Sequence, residues 1–499
     1  MDTQDNNEFP VLEKQKTVVE DLREERQAIR RTKIVCTMGP GCQDPEILQE
    51  MIESGMDVAR LNLAHGNEEW HRETIQKVRS SAEAAGKQVG IMLDTEGPDV
   101  RTGYLEGHTP VQLEKGQTLR ITNDYSFLGN KDKISCSFPD FSKVPSGTKV
   151  LMADGNIICV VEEVLEGELV CRVDVAGELN ELRNLAVLGV KLDLPTLTET
   201  DVSMLKSLAV SMDVDFIGVS FTRSSDDIEK VRRLLGRKGY NIKMVAKIED
   251  IEGINNLHEI VPNSDAVMVA RGDLGMVLPN EKMFLAQKYI IQVSNHYAKP
   301  VITSTQMLES MVVNPRPTRA EASDAANAVI DGSDALMLSV ETAMGKHPVK
   351  AVQFLNKICI EAEEFVVSEE LQEDREYVAG TREGACEAAA TAARERSAAF
   401  LLVVSERGGT ARLVEKYMPP APIYVITANK KTYVQLSLER NCFGVFVEKY
   451  SQPRPLVKKA INDLKEKGLA QTGDLVVALH GHNQYAVNKA DVMSILTVE

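Results

Sequence analysis

A lysine and a glutamate stand two positions apart in an otherwise apolar run, MVAKIEDIEG, residues 244–253. Residues i and i+2 of a β-strand point to the same face, so Lys247 and Glu249 are expected to be aimed at one place. Charged groups are costly to bury unless each has a partner. The pair therefore predicts a binding site at the end of this strand.

Other short apolar runs end in polar residues of the same kinds. Six predicted strand ends carry Arg60, Asn62 and His65; Asp94, Thr95, Asp99 and Arg101; Lys247 and Glu249; Arg271 and Asp273; Thr305; and Ser339, Glu341 and Thr342. Any one of these could be a solvated residue or half of a structural ion pair. Six strands that all end this way indicate one active site.

The residue types favour metal-assisted phosphoryl transfer. Glu249 and Asp273 supply hard oxygen ligands suited to Mg²⁺, which keeps water and substrate oxygens as its other ligands. Lys247 and Arg60 can neutralise a phosphoryl group, whose transfer depends mainly on positioning and charge stabilisation. The sequence has no Walker loop and no G-x-G-x-x-G motif, so a nucleotide would be bound by another route. The glycines of ARGDLG (270–275) leave backbone N–H groups that could bind a carboxylate or phosphate.

Eight apolar runs, most of them followed by helical patterns, must position these residues. They span 33–39, 57–64, 89–97, 215–222, 243–250, 266–273, 300–306 and 335–342. Near-continuous apolar strands with helical crossovers are typical of a parallel sheet, and eight of them favour a closed (β/α)₈ TIM barrel over an open sheet. The active site of such a barrel lies at the carboxyl ends of its strands.

Two segments depart from this alternation of apolar strands and helical segments. Residues 102–187 change to short alternating strands and turns, which predicts an inserted β-rich domain, a small barrel or sandwich, after strand three. A new α/β series then predicts a separate C-terminal domain. The expected organisation is an N-terminal arm (1–31), the barrel (32–101 and 188–357), the inserted lid domain (102–187) and a C-terminal α/β regulatory domain (358–499).

The composition of the chain excludes several classes of partner and several cellular compartments. The formal net charge of −17 over 499 residues argues against nucleic acid and anionic membranes as partners. The eight cysteines are scattered without a C-x-x-C pair, which argues against zinc or disulfides. No apolar run approaches the ~18 residues that span a bilayer. The N-terminal 31 residues are too rich in acids for a mitochondrial transit peptide. We therefore expect a cytoplasmic protein.

Several motifs together resemble one family. RLNLAHG, LDTEGPDVRTG, AKIEDIEG, VARGDLG, PVITSTQMLESM and NPRPTRAEASDAANAVIDGSDALMLSVETA resemble the pyruvate kinases in order and spacing. The similarity runs from about residue 32 to the C-terminal domain, and residues 300–343 are its most specific part. It implies a glycolytic enzyme that transfers phosphate from phosphoenolpyruvate to ADP. A homotetramer in which the inserted domain closes as a lid is also implied.

The resemblance assigns roles to the residues of the reaction. Lys247 would stabilise the phosphoryl group in transit, and Arg60 would bind it. Backbone amides around Gly272 and Asp273 would take the substrate carboxylate. Thr305 would lie beside the enolate carbon and help to relay a proton through water.

The same resemblance implies ion and nucleotide sites. Glu249 and Asp273 would hold Mg²⁺ or Mn²⁺. Positions that bind a monovalent cation, normally K⁺, match Asn62, Asp94 and Thr95. Positions near the nucleotide phosphates of ADP or ATP match Asn62, His65, Arg101 and Lys206.

This chain departs from the family pattern at five positions. Ala64 stands where serine, a monovalent-cation ligand, is usual, and Glu96 stands where lysine is usual. Asp99 replaces glutamate, Ala153 replaces the first of two aspartates in the lid domain, and Val340 replaces glycine. We expect these changes to affect cation affinity, nucleotide preference and rate more than the reaction itself. An unmade contact to one neutral ligand is worth about 1–3 kcal/mol.

A glycine-rich turn in the C-terminal domain resembles the loop at which related enzymes bind sugar-phosphate activators. The expected effector residues are Ser405, Arg407, Gly408, Gly409 and Thr410. A plain strand–helix turn is the competing interpretation.

Two other functions compete with an active enzyme. One is a catalytically weakened pyruvate kinase paralogue with a regulatory or binding role, suggested by the substitutions. The other is a carbon–carbon lyase acting through an enolate, against which the inserted domain and the nucleotide-side residues argue.

Overall fold

The computed structural model describes residues 29–153, 155–190, 194–368, 381–482 and 489–499. Its centre is a closed barrel of eight parallel strands in the order β1-β16-β15-β14-β13-β12-β3-β2, numbered along the whole chain. They are β1 (Lys33–Thr37), β2 (Val58–Asn62), β3 (Gly90–Asp94), β12 (Phe216–Val219), β13 (Lys243–Ile248), β14 (Ala266–Ala270), β15 (Val301–Ser304) and β16 (Ala335–Leu338). Nearly all their residues are buried, which explains the continuous apolar runs. The predicted (β/α)₈ barrel is confirmed.

Helices cover the outside of the barrel and follow its strands. They are α1 (Pro45–Glu53), α2 (Glu68–Ala84), α3 (Glu199–Met204), α4 (Ser225–Leu235), α5 (Ile251–Asn255), α6 (Leu257–Asn263), α7 (Arg271–Val277), α8 (Met283–His296), α9 (Arg319–Ile330), α10 (Val340–Ala343) and α11 (Pro348–Ser368). Polar side chains fix where several of them begin. Asp44 accepts a hydrogen bond from the N–H of Glu46 at the start of α1. Thr318 and Glu321 form a capping box at the start of α9.

The inserted domain follows β3 and has its own apolar core. A six-stranded sheet has the order β11-β7-β8-β9-β5-β6, and a two-stranded ribbon pairs β10 with β4. These strands are β4 (Val111–Leu113), β5 (Thr118–Thr122), β6 (Lys133–Ser135), β7 (Lys149–Met152), β8 (Ile157–Leu165), β9 (Glu168–Val175), β10 (Gly177–Leu179) and β11 (Leu185–Val187). Alternate residues of β8 and β9 are buried, as expected for strands with one solvated face.

The C-terminal domain is a five-stranded sheet in the order β19-β18-β17-β20-β21. Its strands are β17 (Phe400–Val404), β18 (Ile423–Thr427), β19 (Cys442–Phe446), β20 (Leu475–His480) and β21 (Val492–Thr497). Its helices are α12 (Thr381–Glu395), α13 (Gly409–Glu415), α14 (Lys430–Gln435) and α15 (Pro453–Glu466). Four apolar runs of the sequence, AAFLLVVS, APIYVITA, FGVFVEK and GDLVVALHG, predict the first four of these strands. The fifth, β21, is an antiparallel edge strand that our sequence analysis missed, although its side chains alternate in exposure.

The C-terminal domain packs against the amino-terminal ends of the barrel strands. Leu438 joins the apolar cluster inside the barrel. Lys33, the first residue of β1, donates from Nζ to the carbonyl of Cys442. Lys243, the first residue of β13, lies with its Nζ 2.7 Å from Glu439 Oε1. Both domains therefore meet at the end of the barrel opposite the predicted site.

The predicted N-terminal arm lies mostly outside the described residues. Of its last residues, Arg30 is held by Asp57, with Nη2 2.8 Å from Oδ2, and donates from Nε to Asn356 Oδ1 over 2.7 Å. In the part of the chain that the structure describes, none of the helices is long and apolar enough to cross a membrane.

A half-buried acid that directly precedes β16 makes stability depend on pH. Burial raises the pKa of Asp334 to about 8. An unfolded aspartate has a pKa of about 4, so the folded protein binds the extra proton between these pH values and loses stability as pH rises. We expect Asp334→Asn to flatten the fall in melting temperature between about pH 5 and 8. Parallel pH curves for the variant and the parent protein would contradict this assignment.

Candidate active site

Four of the predicted charged residues form one cluster at the carboxyl ends of the strands. Lys247 Nζ lies 3.1 Å from Asp94 Oδ1 and 2.9 Å from Glu249 Oε1. Arg60 Nε lies 2.6 Å from Asp94 Oδ2, so two cations share this carboxylate. Burial alone would lower the pKa of Lys247, but the charges of Asp94 and Glu249 outweigh burial and raise that pKa. Lys247 is therefore a buried ammonium group that stays charged.

Strand β12 contributes two residues that our sequence analysis missed. Lys247 Nζ donates to Ser220 Oγ over 2.7 Å, and Ser220 Oγ donates to the carbonyl of Thr95 over 2.6 Å. Gly218 pairs with Asp94 in the sheet, and a Cβ at this position would stand 2.7 Å from Asp94 Oδ1. The only available signal was a serine and a glycine within an apolar strand, which is weak. Both residues shape the space that Lys247 and Asp94 share.

Glu249 and Asp273 follow the neighbouring strands β13 and β14, and their carboxyl groups interact; Glu249 is buried and Asp273 is half-buried. Burial raises the pKa of Glu249, and although Lys247 opposes this, the charge of Asp273 adds to it. Burial also raises the pKa of Asp273 against Lys247, with Asp99 and Asp94 adding to the rise. Two neighbouring carboxyl groups whose pKa values are raised by burial and by nearby acids are suited to a divalent cation, which would relieve the repulsion.

The donor set fits Mg²⁺ or Mn²⁺ with an incomplete protein shell. Within the described residues, no group of three or more acidic, histidine or cysteine side chains could hold a metal. Two carboxylates with water and substrate oxygens completing the shell are the usual environment of Mg²⁺ at phosphate sites. Glu249 Oε2 also accepts from the N–H of Phe221, which orients the carboxylate.

Thr305 lies next to the start of α7. The N–H of Gly272 donates to Thr305 Oγ1 over 2.8 Å, and Thr305 Oγ1 donates to the carbonyl of Ser304 over 2.7 Å. Thr305 and Gln306 both have left-handed backbone conformations, with φ of 65° and 53°. Such conformations in non-glycine residues concentrate at functional sites.

The predicted nucleotide-side residues border the same cluster. Partial burial, followed by the charges of Arg101 and Arg60, lowers the pKa of His65. Arg101 Nη2 lies 2.8 Å from Asp99 Oδ2. Asn62 Oδ1 accepts from the N–H of Ala64 over 3.3 Å.

Lys206 is exposed on a π-helix, Leu205–Ala209, that continues α3. Asp201 of α3 was not among the residues predicted from the sequence. Its buried carboxylate accepts from the backbone N–H groups of Glu96 and Gly97, so it ties α3 to the loop after β3.

The predicted residues after the eighth barrel strand, β16, form hydrogen bonds to backbone groups and do not join the charged cluster. Glu341 is fully buried and accepts from the N–H groups of Leu308 and Ser339. Thr342 Oγ1 donates to the carbonyl of Thr37. These contacts close the loops after β15 and β16.

The predicted effector loop lies in the C-terminal domain, between β17 and α13. Gly408 has φ of 78°, which allows the turn into the helix. Arg382, which our sequence analysis did not single out, donates from Nη2 to Thr410 Oγ1 over 3.2 Å. Arg407 Nη1 donates to the hydroxyl of Tyr240 over 3.3 Å.

A barrel that gathers a lysine, an arginine and two metal-type carboxylates at its strand ends defines a phosphotransferase. The family model of the pyruvate kinase barrel domain matches residues 29–352, and that of the pyruvate kinase alpha/beta domain matches residues 383–496. The chain therefore belongs to the pyruvate kinase family.

Individual relatives agree over most of the chain. It is 41% identical to a pyruvate kinase of Eimeria tenella, over 97% of this chain and 92% of the relative. It is 40% identical to a cytosolic pyruvate kinase isozyme of Nicotiana tabacum, over 94% and 96%. A crystal structure of a pyruvate kinase from Cryptosporidium parvum superposes with a TM-score of 0.88 at 39% identity, covering 94% of this chain and 96% of that one.

Gly218→Ala tests whether the Asp94–Lys247 pair needs this space. The new methyl group would stand 2.7 Å from Asp94 Oδ1 and 3.4 Å from Lys247 Cδ, and would displace both. We expect a destabilisation of about 1–3 kcal/mol and a loss of turnover of at least about tenfold. Steady-state kinetics and thermal melting measure the two effects. Gly384→Ala is the control, because nothing lies within 4 Å of a Cβ there. Equal kinetics for both variants would contradict the role of Gly218.

Proposed function

We propose that this chain transfers the phosphoryl group of phosphoenolpyruvate to ADP, producing pyruvate and ATP in glycolysis. The observation that carries the proposal is the Lys247 ammonium, held by Asp94, Glu249 and Ser220 at the centre of the site. The weakened-paralogue alternative has no comparable support, because none of its motivating substitutions removes a member of this cluster.

In the proposed reaction, the bond between phosphorus and the enol oxygen breaks and a bond to a β-phosphate oxygen of ADP forms. Lys247 would neutralise the phosphoryl group during transfer, and Arg60, oriented by Asp94 and Thr37, would bind it. Glu249 and Asp273 would hold Mg²⁺ or Mn²⁺, which supplies further positive charge to the phosphoryl and substrate oxygens.

The remaining enolate would then take up a proton. The backbone N–H groups of Gly272 and Asp273, at the start of α7, would bind its carboxylate. Thr305 Oγ1 is already hydrogen-bonded to this loop, so it is placed to orient a water molecule that protonates the methylene carbon. Pyruvate is the product.

Nucleotide binding, closure and location complete the proposal. Asn62, His65, Arg101 and Lys206 would contact the phosphates of ADP or ATP, and the inserted domain would close over them and exclude water. A cytoplasmic location accords with the cytosolic isozyme among the relatives.

The proposal also covers the assembly and the regulation of the protein. A homotetramer is supported by Phe284, Leu285 and Tyr289, which expose an apolar face on α8. A sugar phosphate would bind the effector loop, whose residues are Ser405, Arg407, Gly408, Gly409 and Thr410.

Lys247→Met is the primary test. We expect pyruvate formation from phosphoenolpyruvate and ADP with Mg²⁺ to fall by at least about a thousandfold, because one buried transition-state charge partner is lost. A coupled assay measures turnover, and Mn²⁺ binding followed by electron paramagnetic resonance shows whether the metal site survives. Lys230→Met, which removes an exposed lysine paired with Asp226 and Asp227 on α4, should retain activity. An inactive parent protein that still binds Mn²⁺ would refute the proposed function.

A monovalent cation would be bound with one oxygen fewer than usual. Among the described residues, Asp94 Oδ1 has no hydrogen-bond partner beside the Lys247 ammonium group 3.1 Å away, and we propose that it also offers one oxygen to K⁺. Asn62 and Thr95 would supply others, but Ala64 has no hydroxyl to offer. We propose that K⁺ still binds, with weakened affinity.

Ala64→Ser should restore the missing oxygen and tighten K⁺ binding by about 5- to 150-fold, the equivalent of 1–3 kcal/mol. The single tryptophan of the chain reports on this loop, because a Cβ at Gly66 would stand 3.1 Å from the ring of Trp70. Fluorescence titration with KCl, against a constant total of KCl and tetramethylammonium chloride, measures the affinity. Ala84→Ser at the end of α2 is the control. An unchanged K⁺ affinity in Ala64→Ser would place the cation elsewhere.

A further inference from the structure

Two successive residues after β15, Thr305 and Gln306, adopt the left-handed backbone conformation. Neither is glycine, and for L-residues with a Cβ this conformation is unfavourable. Thr305 is also β-branched, which makes it a marked exception. Something in the surrounding structure must therefore hold this segment in place.

The guanidinium group of Arg271 contacts three successive carbonyl groups of that segment. Its Nε donates to Ser304 O and Thr305 O, both over 3.2 Å. Its Nη2 donates to Thr305 O over 2.6 Å and to Gln306 O over 3.2 Å. Carbonyls at the end of a strand normally continue a ladder or face water, whereas here one buried side chain collects them.

The remaining nitrogen of the guanidinium is anchored from the other side. Nη1 of Arg271 lies 2.7 Å from Asp324 Oδ2 on α9, and it donates to Gln287 Oε1 on α8 over 3.3 Å. The planar fork is thus fixed between two helices and the strained segment. A lysine has a single point of donation and cannot reproduce this geometry.

Two adjacent residues, Arg271 and Gly272, both form hydrogen bonds to Thr305. Arg271 precedes Gly272, whose N–H donates to Thr305 Oγ1. One residue therefore holds the backbone of Thr305 through its side chain, while its neighbour holds the hydroxyl of Thr305 through the main chain. A shift of the guanidinium would move the hydroxyl relative to the start of α7.

We propose that Arg271 is a positioning residue: it holds the Ser304–Gln306 segment in its left-handed conformation and so sets the place of the Thr305 hydroxyl for proton delivery to the enolate. Asp324 orients Arg271 from α9. This inference rests on the proposed function, since it assigns the proton step to Thr305. Arg271 itself touches no reacting atom.

Arg271→Lys separates positioning from simple stability. The readout is the exchange of the methyl hydrogens of pyruvate with D₂O in the presence of Mg²⁺, followed by NMR, because this exchange reports the proton step alone. We expect Arg271→Lys to slow both this exchange and kcat at least tenfold, while KM for phosphoenolpyruvate changes less than threefold. Arg232→Lys is the matched control, because Arg232 Nη2 also lies 2.8 Å from an acid, Asp265, but at the opposite end of the barrel.

Asp324→Asn keeps the proposal testable if Arg271→Lys does not fold. It leaves the carbonyl contacts in place and removes only the orienting charge, so we expect a two- to fivefold slower exchange with an unchanged melting temperature. Exchange at the parent rate in folded Arg271→Lys or in Asp324→Asn would overturn the proposal, as would an equal loss in Arg232→Lys. A parent protein without turnover of phosphoenolpyruvate and ADP would instead refute the proposed function.

Discussion

The ammonium group of Lys247 is buried at the carboxyl end of the barrel, and its charge has to be balanced by groups from different strands. Asp94 comes from β3, Ser220 follows β12, and Glu249 follows β13 itself. These strands are adjacent in the closed barrel, so the pairing register decides whether the partners reach the ammonium. Gly218 sits between them, because only a residue without a side chain leaves room for the carboxylate of Asp94. Barrel closure, register and this glycine are thus constraints imposed by one buried charge.

The acids of the site outnumber the cations that neutralise them. Asp94 is paired with both Lys247 and Arg60. In contrast, burial and the charge of Asp273 raise the pKa of Glu249, and burial with the charges of Asp99 and Asp94 raises that of Asp273. A site with this imbalance is unfavourable by itself and becomes favourable when a divalent cation enters. The excess of carboxylates therefore favours the binding of a metal ion together with an anionic substrate.

The spacing of apolar residues and the types of the polar residues were enough to predict much of this arrangement. Lys247 and Glu249 could be placed together because the alternation of a strand is local, and the barrel followed from eight buried runs. Ser220 and Asp201 could not be found in this way, because each acts on a backbone group far away in the chain. The same limit explains Glu341, whose carboxylate looks like a site residue in sequence but accepts from two backbone N–H groups in the fold. Strand β21 was missed for another reason: as an edge strand it has one half-solvated face and no continuous apolar run.

Strand β13 carries a charge at each end. Lys243 at its start is bound to Glu439 of the C-terminal domain, and Lys247 four residues later belongs to the charged cluster of the candidate active site. The two lysines are about 13 Å apart along the strand, which is hydrogen-bonded on both sides and does not stretch or bend easily. The backbone positions of the two lysines are therefore held at a nearly fixed separation along the barrel. A single strand thus connects the contact with the C-terminal domain at one end of the barrel to the charged cluster at the other end.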